Sequence, residues 1–233
     1  MGSGKNGIRF ALLALGGLAL SACAAAVVPL TAAEIGVGGY EAYKLVQTSE
    51  GGSVGVSFTE EGGKEIPPPP LPAARRLAIW PGGEHERYLA EQLIASKRFA
   101  VVTPGRVRVA LAGAKISPNI KDLTDAEQIA AFSVVCRQMQ VDLVLAARDE
   151  GTVSHANGLS LSPANRISTL DLMAFSCRRR MVTWRDEMKL KVELGDKTPS
   201  TAAIAKVGGD AWAKRIVAAE NRSESPTQIG QAY

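Results

Sequence analysis

Histidine is nearly missing from this chain, with only His85 and His155 in 233 residues. A zinc-type site needs three or four converging ligands. Gly83-Glu84-His85-Glu86 offers one histidine with no second cluster nearby in sequence, so it reads as a solvated helix start. His155 sits in a polar stretch without a partner signal, and no metal site is expected. A Gly-x-x-x-x-Gly-Lys phosphate loop is absent, and Gly36-Val37-Gly38-Gly39 lacks the preceding strand of a dinucleotide loop. Asp149 and Glu150, flanked by Arg148 and Gly151, read as a solvated loop rather than an acid–base pair. These absences lead to the expectation of a non-enzymatic protein with no catalytic residues and no evident small-molecule substrate. Charge of one sign is scarce too. Lys and Arg total 27 against 23 Asp and Glu, without the basic stripe of a nucleic-acid binder, so no nucleic-acid partner is expected.

What is present begins at the amino terminus. Lys5 and Arg9 precede an apolar run over residues 10–20, whose eleven residues fall within the ~7–15 of a secretory signal. A membrane-spanning helix needs about 20. Leu20-Ser21-Ala22-Cys23 follows. This closely resembles the lipobox of bacterial lipoprotein precursors. The resemblance implies that the Cys23 thiol takes a diacylglyceryl group, that residues 1–22 are a signal peptide cut before Cys23, and that the new amine is acylated. The covalent lipid on Cys23 is then the only attached group expected. The competing reading is an uncleaved anchor, since residues 10–33 carry no charge. That stretch is largely Ala and Gly, however, and Pro29 interrupts it. One acyl chain holds a protein marginally, at about 0.8 kcal/mol per buried methylene, and two or more hold it stably. Ala24, where Asp would favour retention in enteric-type lipoproteins, points to the outer membrane's inner leaflet facing the periplasm. An inner-membrane anchor is the alternative.

Without residues 1–22, 211 residues remain with a formal charge of +2, enough for one domain and a linker. Residues 23–74 read as a lipidated tether with a possible short helix over 32–47 and a short strand over 53–58. Its Pro67-Pro68-Pro69-Pro70 favours a stiff polyproline spacer or marks a domain boundary. The domain is expected over 75–220, followed by a flexible tail over 221–233. Strands are expected at 77–80, 99–102, 141–147, 167–176 and 181–192. Helices are expected at 84–96 (Leu89, Leu93, Ile94 inward) and 106–113 (Val107, Ala110, Leu111 inward). A third, at 124–140, opens with the capping box Thr124-Asp125-Ala126-Glu127 and turns Ile129, Phe132, Cys136 and Met139 inward. A last helix, capped by Thr198 with Pro199 in its first turn, packs through Ala205, Gly208, Trp212, Ile216 and Ala219. The fold class is α/β, a mixed sheet with a long β-hairpin packed against helices. Cys136 and Cys177 read as two unlinked residues, because sequence alone cannot bring their Cα atoms within the ~7 Å that bridging needs; a disulfide is the alternative.

Trp80-Pro81 ending a strand, Tyr88-Leu89-Ala90-Glu91-Gln92-Leu93, and Phe99-Ala100-Val101-Val102-Thr103 together resemble envelope proteins of the curli-secretion-lipoprotein type. They are similar also to the amino-terminal domain of the Tol-Pal translocation protein and to lipoprotein activators of penicillin-binding proteins. Val141-Asp142-Leu143-Val144-Leu145 and the hairpin from Ala174-Phe175-Ser176 to Met181-Val182-Thr183-Trp184 fit the same pattern. The resemblance implies an anticodon-binding-domain-like fold and a role through an envelope protein partner in assembly, secretion support or regulation of wall synthesis. A secretion-pore subunit is the alternative, although Asp171, Arg185, Asp186, Glu187, Lys189 and Lys191 interrupt the hairpin strands. An envelope hydrolase is a more remote one. Arg178-Arg179-Arg180 is the densest charge cluster. It is read as a solubilised hairpin turn, or else as a contact for acidic partners or a phosphate-bearing envelope polymer.

Overall fold

A computed structural model of the chain describes residues 43–61, 64–155 and 164–223. The expected signal peptide, Cys23 and the tether up to residue 42 therefore lie outside the described residues. The elements in order are β1 (Lys44–Gln47), β2 (Ser53–Phe58), β3 (Glu60–Glu61), β4 (Lys64–Glu65), β5 (Arg76–Ile79), α1 (Glu84–Ala95), β6 (Ala100–Val102), α2 (Pro104–Gly113), α3 (Asp125–Met139), β7 (Leu143–His155), β8 (Asn165–Ser176), β9 (Met181–Glu193) and α4 (Thr201–Ser223).

Seven strands form one mixed sheet in the order β1-β2-β9-β8-β7-β5-β6. β5 runs parallel to β6 and β7, whereas β7, β8, β9, β2 and β1 are successively antiparallel. Alternation along the strands sends Leu77, Ile79, Leu143, Leu145, Leu172 and Trp184 to the face covered by α1 and α4. Ala78, Val144, Ala146, Met173 and Phe175 go to the face covered by α2 and α3. The expected α/β class, with its mixed sheet and long β8–β9 hairpin, is present.

Several expectations change. Residues 44–47, expected to be helical, are the edge strand β1. The strand at 53–58 is not an isolated piece of tether: Val54, Val56 and Phe58 pair with Val192, Leu190 and Met188 of β9 and enter the core. The sheet thus begins some thirty residues before the boundary expected at 75, because burying this β9 edge outweighs the Gly-rich character of the segment. β7 does not stop at Ala147 but continues to His155 across an irregularity between Asp149 and Gly151. Asp149 and Glu150 are strand residues, salt-bridged to Lys121 and Arg148. Inward faces shift slightly. α1 buries Glu86, Leu89, Ala90 and Leu93 and leaves Ile94 half-exposed, and α3 buries Gln128, Ala131, Phe132 and Val135 while Ile129 faces outward. Thr124 and Glu127 form the expected capping box. Thr198, by contrast, spends its hydroxyl on the Gly195 carbonyl, and Ser200 accepts the Ala203 N–H to open α4, which continues through residues 221–223.

α4 buries its expected stripe, and the two glycines Gly208 and Gly209 decide how close it lies to α1. A Cβ on Gly208 would stand 2.6 Å from His85 Nδ1, and one on Gly209 would stand 2.7 Å from the His85 carbonyl oxygen. Only residues without Cβ allow this approach. His85 is accordingly packed against α4, not solvated.

Candidate interaction site

The buried polar centre of the molecule is a clamp. Arg215, on α4, donates from Nε to Asp186 Oδ2 (2.6 Å), from Nη1 to Glu65 Oε1 (2.7 Å) and from Nη2 to the Ile66 carbonyl (2.6 Å). Its guanidinium lies 4.6 Å from the centre of the Phe58 ring. Thr59 Oγ1 donates to the other oxygen of Asp186 at 2.8 Å. One planar cation with several fixed donors thereby ties α4, β9 and the segment leading into the prolines. Pro67 to Pro70 lie along this clamp and line a cavity of about 510 Å³ with Arg185 and Asp186. The proline run is docked, not a free spacer. A second cavity, of about 310 Å³, opens between β1 and α4, with Val46, Val56, Phe58, Val207 and Ala211 as its apolar walls.

His85 and Glu86 do not converge into a metal site. Burial lowers the His85 pKa and Nδ1 has no hydrogen-bond partner among the described residues, while Glu86 accepts the Gly83 N–H at 2.7 Å. Burial pushes the Glu86 carboxyl up to about 7. Between about pH 4.5 and 7 the folded protein therefore keeps a proton that the unfolded chain has released, and stability falls as the pH rises through that window. Glu86→Gln retains an acceptor for Gly83 and should flatten this slope, removing a pH-dependent loss on the order of 3 kcal/mol. Urea midpoints measured across the window check this; an unchanged slope would show that Glu86 titrates normally.

Gly51-Gly52-Ser53-Val54-Gly55 has the letter spacing of a nucleophile elbow. An elbow needs a strand, a sharp turn and a helix. Here Gly51 and Gly52, at φ +86° and +76°, make the hairpin turn from β1 into β2, and Ser53 begins a strand. The arrangement is that of a β-hairpin.

Arg178, Arg179 and Arg180 occupy the exposed turn between β8 and β9, where Arg180 N–H donates to the Ser176 carbonyl and Arg179 N–H to its hydroxyl. The turn is fixed to α3 by a disulfide between Cys136 and Cys177, whose Cα atoms are 5.5 Å apart. The reading of these cysteines as unlinked is thereby corrected: they stand at a sequence separation of 41, and the return of β8 beneath the end of α3 brings them together. Arg137 is the next residue on α3, so a fourth cation adjoins the turn.

No family model matches the chain, and no curated protein matches it. Among solved structures it is similar to the PelC dodecamer from Paraburkholderia phytofirmans, with 10% identity over 72% of this chain and 97% of that chain and a TM-score of 0.38. It is similar also to the lipoprotein GNA1162 from Neisseria meningitidis, with 12% identity over 61% of this chain and 98% of that chain and a TM-score of 0.41. The LpoB C-terminal domain from Escherichia coli shares 15% identity over 52% of this chain and 84% of that chain, with a TM-score of 0.33.

Proposed function

We propose that this protein is a lipid-anchored bacterial envelope protein, held at the outer membrane facing the periplasm and acting through contacts with an envelope protein rather than through catalysis. The observation that carries the compartment is the Cys136–Cys177 disulfide. Such bonds persist in oxidising compartments and are rare in the cytosol. The bridge lies far in sequence from the leader and agrees with it independently. The buried charged groups serve the fold: Arg215 and Asp186 hold the proline segment, and Glu86 closes the start of α1. Exposed surface is left for recognition.

Replacing the lipid acceptor tests the anchor. Cys23→Ser removes the thiol sulfur, so palmitate incorporation should be lost and the unprocessed precursor should accumulate. Normal maturation and labelling of that variant would overturn the lipoprotein reading. Crosslinking in intact envelopes, followed by capture of the wild-type chain, tests the contact role and reads out the partner.

A further inference from the structure

The arginine turn is one part of a larger basic surface that sequence order scatters. Strand register gathers it at one end of the sheet. The Asp142 carboxylate accepts the backbone N–H groups of Arg75 and Arg76, and the Asp142 carbonyl accepts the Cys177 N–H, so the start of β5 and the β8–β9 turn flank the start of β7. The Arg75 carbonyl accepts the Ala100 N–H, which places Lys97 beside them. The disulfide adds Arg137. Arg75, Lys97, Arg137, Arg178, Arg179 and Arg180 are exposed and Arg76 is half-buried, and none of these seven forms an ion pair among the described residues. Arg98, in the same region, is committed to Glu220 at 2.9 Å and Asn221 at 2.6 Å. Asp142 lies within the cluster, and its Oδ2 accepts two backbone N–H groups.

With neighbouring strands about 4.8 Å apart, the cluster spans roughly 20 Å from β6 to the β8–β9 turn. The two cavities described above lie elsewhere, against α4 and the prolines. Met181, 54% exposed, stands directly beside Arg180. A cation beside an exposed apolar side chain matches the chemistry of a headgroup layer, where phosphates meet acyl chains.

We propose that this basic end of the sheet rests on the anionic phospholipid headgroups of the bilayer to which the chain is tethered. The proposal rests on the lipidated reading of Cys23. Twenty residues separate Cys23 from Tyr43 and extend to at most about 70 Å. Tyr43 lies at the level of β9 residue Lys189, eight residues or about 27 Å from the basic end. The tether therefore reaches with length to spare, and a charged face on an already anchored domain adds an electrostatic contact that orients the domain on the bilayer.

The test uses the full lipidated chain on vesicles of phosphatidylcholine alone and on vesicles containing about a third phosphatidylglycerol. Amide hydrogen exchange of residues 136–140 and 176–181 should slow by about tenfold on the anionic vesicles only. The protection should fade at high salt and vanish in R178E/R179E/R180E, whose melting confirms an intact fold. Equal exchange on both vesicles overturns the proposal. So does protection that appears only when envelope proteins are added, which would assign the face to an acidic protein. Association with the neutral vesicles reports the anchor separately. If it is absent, the lipidation reading fails, and the face is judged by whether the triple charge reversal abolishes sedimentation with the anionic vesicles.

Discussion

Breaking the Cys136–Cys177 bridge is expected to lower the free energy of unfolding by about 4 kcal/mol. The bond closes a loop across a sequence separation of 41, and the chain-entropy relation assigns roughly that amount to a loop of this size. The loop contains the end of α3, β7 and β8, so the unfolded chain loses much of its freedom when it is closed. Urea unfolding with and without reductant measures the effect, and Cys136→Ala with Cys177→Ala should reproduce the reduced midpoint. The reduced protein should also release the arginine turn from α3, visible as faster proteolysis after Arg178 to Arg180. Two thiols titratable in the untreated protein, together with a midpoint indifferent to reductant, would show that the bridge does not form in solution.

A loss of similar size is expected from Arg215→Ala. Asp186 is almost wholly buried, and its charge is compensated by Arg215 at 2.6 Å. Removing one partner of a buried pair leaves an uncompensated charge, at a cost of about 3–5 kcal/mol. Arg215→Met combined with Asp186→Leu should recover most of that loss, because both polar groups leave together and the Phe58 ring keeps an apolar neighbour. Arg215→Lys should recover little, since one ammonium cannot serve Asp186, Glu65 and the Ile66 carbonyl in their fixed directions. Protease sensitivity of residues 59–70 should rise in the single variant and not in the double. A double variant as unstable as the single would mean that Arg215 stabilises the fold through something other than this pair.

Local patterns carried much of the architecture. The apolar runs that became β5, β6 and the start of β7, the Thr124–Glu127 cap and the α4 stripe could be placed because each follows from neighbours a few residues apart. Errors arose where a distant segment overrides local character. β1 and β2 are weak, Gly-interrupted strands that exist because β9 presents an edge to them. β7 persists through Asp149 and Glu150 because β8 pairs along its whole length. His85 looks solvated until Gly208 brings α4 against it.

The same division applies to function. By itself the sequence determined the α/β class and the arginine triplet, since composition, order and short spacing suffice for each, and Leu20-Ser21-Ala22-Cys23 after its apolar run is what supports the proposed leader. Only the tertiary structure decided the disulfide, the clamp on the proline segment and the gathering of Arg75, Arg76, Lys97 and Arg137 around the triplet. Each joins residues tens to more than a hundred positions apart, and strand register, which no local window contains, determines which of them meet.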